Sequence, residues 1–141
     1  MKKTMAMLLS AAMVMSMGLM ASAATQDYSV LVDGDKMARV FNNVMKNAIA
    51  YSYEGSTIRI FAEQEGGSVT VRFENQGDPI PAPKLGMIFE KFYRLDAARA
   101  TNRGGAGLGL AIAKEIVGAH GGSISCESTP EHTVFTIVLP L

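Results

Sequence analysis

The sequence has little of what several common functional classes require. It has one cysteine, Cys126, in 141 residues, so no internal disulfide can form, which fits a reducing compartment. Its 13 basic and 13 acidic residues give a net charge of zero, and no basic patch is dense enough to indicate nucleic-acid binding. Ten methionines are present, but seven lie in the first 20 residues, so the excess belongs to the N-terminal segment. The length supports one domain with a hydrophobic core.

Residues 1–24 are predicted to be a secretory signal peptide. Lys2 and Lys3 form a basic start, an uncharged run follows, and Ala21-Ser22-Ala23 offers small residues for cleavage. An uncleaved membrane anchor is the alternative, because the uncharged run is about as long as the ~20 residues that a spanning helix needs. The many Ser, Ala and Gly residues favour cleavage. Either interpretation sends the rest of the chain out of the cytoplasm.

A glycine cluster at residues 104–109 (GGAGLG) opens onto a helical pattern that extends from Leu108 to His120. Glycine lets the backbone approach a ligand closely, and a helix N-terminus offers unpaired N–H groups and a positive dipole end to an anion. The helix is supported by apolar residues that recur on one face: Leu108, Ile112, Ile116 and Ala119. The cluster predicts a phosphate-binding loop, and a flexible turn before a core helix is the alternative.

An earlier helix is predicted from Asp35 to about Ser52, with Asp33 or Asp35 as its cap. Its apolar positions are Val40, Val44 and Ala48, with Phe41, Met45 and Ile49 beside them. A separate stripe at four-residue spacing consists of Arg39, Asn43, Asn47 and Tyr51. Because Asn is a poor helix former, two of them on one face indicate a binding function. A solvated face is the alternative.

Alternating segments on either side of Gly66-Gly67 predict a β-hairpin with strands Thr57–Gln64 and Ser68–Glu74. The second strand ends in Asn75-Gln76-Gly77-Asp78, which is either a ligand-binding turn or an Asn turn that ends a strand. Further strands are predicted at Tyr28–Val32, Ser123–Ser128 and Thr133–Leu139.

A long segment, about residues 79–104, separates the hairpin from the second helix. Long loops inside compact domains are usually functional. Phe89 and Phe92 lie three apart on a predicted helical turn and would pin this loop to the domain, although an ordinary core pair explains them equally well. Lys91 and Arg103 are interpreted as solvated charges.

The four features occur in a set order: the Asn helix, the strand-end turn, the Phe-x-x-Phe loop and the glycine loop. In that order they resemble the N, G1, F and G2 boxes of the ATP-binding domain of bacterial sensor histidine kinases. Residues 89–110 (FEKFYRLDAARATNRGGAGLGL) are especially similar to the vancomycin-resistance sensor-kinase branch. The resemblance extends over about Val30 to Leu141. It implies an α/β fold for residues 25–141, a two-layer Bergerat-type sandwich whose mixed sheet has about four to five strands, with about three helices on one face and an ATP lid at about 79–104.

The resemblance also implies a site for ATP and Mg²⁺. The matched nucleotide-binding positions are Asn43, Asn47, Tyr51, Asn75, Gly77, Ile80, Phe89, Phe92, Gly105, Gly107, Leu108 and Gly109. Among them Asn47 would hold Mg²⁺ through its amide oxygen and Tyr51 would lie near the adenine. The positions matched to catalysis are Asn43, Asn47, Arg94 and Arg99, the two arginines through contacts with phosphate.

Two positions refine the implied activity. The family usually has an aspartate where this chain has Asn75, whose carbonyl can accept the same bond from the adenine amino group without charge, so weaker adenine selectivity is expected. Related Bergerat ATPases carry a glutamate at the position of Asn43 to activate water. Since an amide cannot act as a general base, ATP would be spared hydrolysis and kept for transfer to a protein.

The sequence has no histidine within the acidic, proline-containing helix sequence of a phosphoacceptor. His120 at a helix C-terminus suits a dipole partner, and His132 falls in a turn. The resemblance therefore implies a protein-histidine kinase catalytic domain that acts on a dimerisation and phosphoacceptor histidine domain in another chain, with a response regulator as an indirect partner and no nucleic acid. The alternatives are an ATP-binding regulatory module without kinase activity and a non-functional truncated fragment.

The leader and the domain make conflicting demands on location. The leader predicts export or membrane anchoring, whereas an ATP-dependent domain belongs on the cytoplasmic side, which points to a fusion, a truncated gene or a misjoined sequence. In the family another strand and a helical hairpin precede the strand at Tyr28–Val32. That strand is therefore expected to lie beside an unpaired position, unless a part of the leader such as Ala21–Gln26 folds back to fill it.

Overall fold

The computed structural model describes residues 4–7, 28–95 and 107–141, with side chains from residue 30 onward. In chain order its elements are β1 (Thr4–Met7), β2 (Tyr28–Leu31), α1 (Gly34–Tyr51), β3 (Arg59–Glu65), β4 (Ser68–Asn75), α2 (Ala82–Leu85), α3 (Gly109–Ala119), β5 (Ser123–Ser128) and β6 (Thr133–Pro140). No helix within these ranges is long and apolar enough to cross a membrane.

Four of the strands form a sheet in the order β3-β4-β6-β5. The predicted hairpin is confirmed, since Glu65 pairs with Ser68 across the Gly66-Gly67 turn, and the two predicted C-terminal strands are confirmed as β5 and β6. The predicted α/β class is also confirmed. The prediction of a mixed sheet is wrong for these four strands, because each hairpin pairs its own strands antiparallel and β6 joins β4 antiparallel as well.

The core lies on one face of this sheet, where the period-2 alternation of the strands places their apolar side chains. The buried positions of β4 and β6 alternate as Val69, Val71, Phe73, Asn75 and Thr133, Phe135, Ile137, Leu139. Two helices cover this face, and α1 contributes Met37, Val40, Val44 and Ala48, all fully buried. Full burial stabilises the fold by about 1.5–3 kcal/mol for each large apolar side chain. The opposite face carries the ion pairs Arg59–Glu74 and Arg72–Glu63.

The predicted first helix is confirmed, together with its cap. The carboxylate of Asp33 accepts a hydrogen bond from the backbone N–H of Lys36 at 3.1 Å, which satisfies one of the unpaired donors at the start of α1. This hydrogen bond holds the pKa of Asp33 below its ordinary value.

The second helix is confirmed, but its buried face differs from the predicted one. Ala111, Ala113 and Val117 are buried, whereas Ala119 is exposed and Ile112 is half-buried. Small side chains at the buried positions let α3 approach α1 closely, and this close contact, rather than the count of large apolar residues, sets the rotation of the helix.

The N-terminal segment contributes a strand. Thr4–Met7 pairs antiparallel with Tyr28–Leu31, and Met5 lies opposite Val30. The expectation that β2 lies beside an unpaired position is therefore wrong. The segment named as the alternative partner, Ala21–Gln26, lies outside the described residues, as does most of the predicted leader.

Candidate functional site

The predicted site residues lie in four segments: α1, the turn after β4, the loop that follows it and the glycine segment before α3. Helix α1 contacts the turn and the start of α3. The side-chain amide of Asn43 donates a hydrogen bond from Nδ2 to the carbonyl of Gly109 at 3.0 Å. A Cβ added to Gly109 would lie 3.5 Å from Cγ of Asn43, an ordinary van der Waals contact, so this bond does not itself require glycine. Asn43 thus fixes the first turn of α3 against α1, a role that residue type and spacing did not indicate.

Asn47 lies one turn further along the same face of α1 and behaves differently. It is half-buried, and within the described part of the chain its side chain forms no hydrogen bond. No described residue therefore competes with a ligand for its amide oxygen and nitrogen. The two asparagines of the predicted stripe therefore differ: Asn43 joins the two helices, whereas Asn47 forms no side-chain hydrogen bond to a described residue.

Asn75 ends β4 on the inner face of the sheet and is only 2% exposed. Its cross-strand partner on β6 is Thr133, which is also buried. Its side-chain amide forms no hydrogen bond to another described residue. The side chain of Asn75 carries one acceptor and one donor group that a ligand could pair with.

Gly77 follows β4 and packs directly against the end of α1. A Cβ at this position would lie 1.9 Å from the carbonyl oxygen of Tyr51, which no real side chain could tolerate. Nearby, the N–H of Tyr53 donates to the carbonyl of Gln76 at 2.8 Å. The glycine is thus required by the chain's own packing, and it brings the turn after β4 against the backbone of Tyr51, whose side chain is 44% exposed.

In the loop after this turn, Phe89 packs against the core. The ring of Phe89 meets Phe135 edge-on, with centroids 6.2 Å apart, and the Lys114 ammonium lies 5.9 Å from its centroid. Phe92 does not pin the loop, contrary to the prediction, because it is 71% exposed and its backbone has a φ of 64°. A three-residue spacing matches one helical turn, but the left-handed backbone at Phe92 turns its side chain away from the core.

The loop and the glycine segment meet at the backbone. The N–H of Phe92 donates to the carbonyl of Gly107 at 3.0 Å. Gly107 has a φ of +74°, and a Cβ there would lie 2.9 Å from the carbonyl oxygen of Tyr93 and 3.2 Å from Cγ of Arg94. Only glycine fits this position, and Arg94 stands beside it. Leu108 follows at the start of α3, while the predicted residues Arg99 and Gly105 lie outside the described residues.

The start of the loop is held to the sheet. The N–H of Ile80 donates to Oγ of Ser128 at 2.9 Å, and Ile80 packs against the core. Ser128 and Thr133 were not singled out from the sequence, since isolated hydroxyl residues in strands carry no recognisable signal. Their place in the site follows from strand register, which puts Thr133 beside Asn75 and Ser128 beside Thr133.

Comparison with known proteins agrees with this arrangement. The family model described as histidine kinase-, DNA gyrase B- and HSP90-like ATPase matches residues 32–141. Sensor protein VanS from Enterococcus faecium is 56% identical over 117 residues, which are 83% of this chain and 30% of VanS. The chain thus spans under a third of the length of this relative.

Solved structures show the same fold. The catalytic domain of histidine kinase ThkA, in a nucleotide-free form, superposes with a TM-score of 0.73 at 30% identity, covering 83% of this chain and 74% of that one. Full-length ShkA in complex with AMPPNP gives a TM-score of 0.68 at 26% identity, covering 79% of this chain and 22% of that one. The family predicted from the four motifs is confirmed, and the chain belongs to the histidine kinase-, DNA gyrase B- and HSP90-like ATPases.

Proposed function

We propose that this chain carries the ATP-binding catalytic domain of a two-component sensor histidine kinase. It would transfer the γ-phosphoryl group of Mg-ATP to a histidine on a dimerisation domain outside these 141 residues. The observation that carries the proposal is the amide of Asn75, which is set in a nearly buried position without a hydrogen-bond partner in the described part of the chain. A polar group in this position can pair with a ligand without first giving up a bond to a described residue.

The base would bind at Asn75. The exocyclic amino group of adenine would donate to its Oδ1, as an uncharged counterpart of the aspartate usual in the family. Gly77 would let the turn after β4 approach the base, and Tyr51 and Ile80 would border it. The nucleotide complex of the structural neighbour ShkA supports this role for the fold.

The metal would bind at Asn47. An amide oxygen suits Mg²⁺, which takes hard oxygen ligands and retains several waters. Residues 30–95 and 107–141 contain no group of three or more His, Cys, Asp or Glu that could hold a metal ion. Phosphate oxygens and water would therefore supply most of the coordination, and the metal would neutralise charge on the phosphates.

The phosphates would bind where Gly107 leads into α3. The first N–H groups of an α-helix have no partner within the helix and point toward its N-terminal end, where the dipole also favours an anion. Asn43 holds this end in place through Gly109. Phe89 would place the lid, proposed as residues 79–104, over the nucleotide, and Arg94 and Arg99 would contact the phosphates.

Catalysis in this site would depend on positioning and charge neutralisation, as is usual for phosphoryl transfer. The amide of Asn43 cannot accept a proton from water, so the site lacks the general base that a hydrolase needs at that position. Both ring nitrogens of His120 are engaged in hydrogen bonds within the domain. The acceptor histidine would come from elsewhere, and a response regulator would then receive the phosphoryl group. The domain would work on the cytoplasmic side of a membrane, where ATP is present.

A fluorescent ATP analogue tests the binding step. Titration of the full chain with and without Mg²⁺ is expected to give saturable, Mg²⁺-dependent binding that unlabelled ATP displaces. Absence of saturable binding by folded protein would overturn the ATP assignment.

Labelling with γ-³²P-ATP tests the transfer step. We expect no labelling of the chain itself and acid-labile labelling of a histidine dimerisation domain taken from a VanS-like relative. ATP binding without any transfer would favour the alternative, an ATP-binding regulatory module.

A further inference from the structure

Hydroxyl groups connect the proposed base pocket to the loop that follows it. Oγ of Ser128 accepts a hydrogen bond from the N–H of Ile80 at 2.9 Å and lies 2.7 Å from Oγ1 of Thr133. Thr133 is the cross-strand partner of both Ser128 and Asn75. Direct cross-strand partners lie on the same face of a sheet. A polar row therefore runs across three strands, from Asn75 through Thr133 to Ser128, and ends at the backbone of Ile80.

Burial makes the bonds of this row mutually dependent. Thr133 is 4% exposed and Asn75 is 2% exposed, so the hydroxyl of Thr133 has little access to water. A buried hydroxyl without a partner is costly, and Ser128 is the partner that Thr133 has. The same oxygen atom of Ser128 also satisfies the N–H of Ile80.

The proton arrangement allows the row to respond to a ligand. A hydroxyl has one proton to donate and two lone pairs that accept. When Ser128 donates to Thr133, the proton of Thr133 is available to a bound base. When Thr133 donates to Ser128, Thr133 instead offers a lone pair. In either arrangement Ser128 can accept a hydrogen bond from the N–H of Ile80. The strength of that bond changes with the direction of the hydrogen bond between Ser128 and Thr133, because hydrogen bonds in a chain polarise one another.

We infer that Ser128 is a positioning residue that couples binding of a purine nucleotide at Asn75 to the placement of Ile80, where the lid begins. The inference rests on the proposed function and assigns to that site a link between base recognition and the lid. Ser128 does not touch the nucleotide in this scheme. It acts through Thr133 on one side and through the backbone of Ile80 on the other.

The chain offers a matched control on the same strand. Ser125 lies on β5 as well, but it is exposed on the opposite face of the sheet, where its cross-strand partner is Thr136. Ser125→Ala thus removes the same atom from the same strand without touching the row. Ser128→Thr keeps the hydroxyl in a residue that strands favour, and Ser128→Cys keeps the size while offering only weak hydrogen bonding.

The experiment compares nucleotide affinity with tryptic cleavage in the loop, using the full chain and its four variants. Lys84 and Lys91 are exposed after Ile80, and their cleavage rates with and without Mg-ATP report the placement of the loop. We expect Ser128→Ala and Ser128→Cys to weaken ATP binding by about 5–10-fold, the loss of one buried hydrogen bond, and to reduce nucleotide-dependent protection of both lysines. Ser128→Thr should keep the ATP affinity and the protection of both lysines close to those of the wild type, and Ser125→Ala should match the wild type.

The outcomes separate this inference from the proposed function. If the wild type binds ATP and all variants show the same affinity and the same ratio of protected to unprotected cleavage, the coupling is wrong while the ATP site stands. A lower melting temperature for Ser128→Ala with an unchanged protection ratio would also overturn it, since Ser128 would then be a structural brace alone. Failure of the wild type to bind ATP would overturn the proposed function and this inference together.

Discussion

His120 joins the end of α3 to the start of α1. Its Nε2 accepts a hydrogen bond from the backbone N–H of Asp33 at 3.1 Å, and its Nδ1 lies 2.8 Å from the carbonyl oxygen of Ile116. Because a backbone N–H can only donate and a carbonyl can only accept, the ring must carry its proton on Nδ1. The imidazole satisfies a carbonyl at a helix C-terminus and at the same time connects two segments that are 87 residues apart in the chain.

The first prediction concerns this bridge. Replacing His120 with alanine removes both hydrogen bonds and is expected to lower the free energy of unfolding by about 1–3 kcal/mol. Urea unfolding at neutral pH measures the change. His132→Ala is the control, since His132 lies in the turn between β5 and β6 and its ring forms no hydrogen bond to the described residues. Equal unfolding midpoints for the two variants would contradict the bridging role.

The second prediction separates the two asparagines of α1. Asn43→Ala removes the bond to Gly109 and should lower the free energy of unfolding by about 1 kcal/mol, as well as weaken nucleotide binding through the displaced start of α3. Asn47→Ala breaks no hydrogen bond within the described chain, so its stability should match the wild type. Its nucleotide binding should instead become independent of Mg²⁺. Thermal melts measure the stability of the two variants, and ATP titrations with and without Mg²⁺ measure their nucleotide binding. A loss of stability in Asn47→Ala but not in Asn43→Ala would refute the different roles assigned to the two asparagines.

The third prediction contrasts the two phenylalanines of the loop. Phe89→Ala removes a half-buried ring from Phe135 and should cost about 2 kcal/mol of stability. Phe92→Gly removes an exposed ring and relieves a left-handed backbone that disfavours residues with a Cβ. The greater freedom of glycine in the unfolded chain offsets part of that gain, so stability should stay equal or rise by up to about 1 kcal/mol. Comparable destabilisation by both variants would show that Phe92 packs as Phe89 does.

Local periodicity predicted most of the fold because burial in this chain follows it closely. The alternation of β4 and the fully buried face of α1 at Val40, Val44 and Ala48 could be recognised from the residues alone. The cap at Asp33 was also recognisable, since it depends on neighbours three residues away. The order of the four motifs then indicated the family, which the match over residues 32–141 confirms.

What the sequence did not indicate depends on contacts between distant segments. The buried face of α3 is set by close packing against α1, so its alanines lie inside and the predicted Ala119 lies outside. The bond from Asn43 to Gly109 and the row through Thr133 and Ser128 both depend on strand and helix register, which residue type alone does not fix. The roles predicted for Asn47, Asn75 and Arg94 stay predictions, since they require a nucleotide.

The fourth prediction concerns Cys126 and alkaline pH. Burial, followed by the nearby charge of Glu127, raises the pKa of the Cys126 thiol from 9.0 to about 12. Between these values the unfolded chain loses the thiol proton while the folded chain keeps it. The folded state then binds more protons, so this group lowers stability as pH rises above 9.0, with a slope of at most about 1.4 kcal/mol per pH unit.

Cys126→Ser isolates this effect, because serine does not ionise in that range and every other titrating group is shared. Between about pH 8 and about pH 10.5, the urea midpoint of the wild type should fall further than that of the variant. The reaction of the thiol with iodoacetamide should likewise be slow in the folded protein and fast in urea, since the thiolate is the reacting form. Parallel loss of stability in both proteins, together with rapid alkylation of the folded chain, would show that the thiol ionises as readily in the fold as in water.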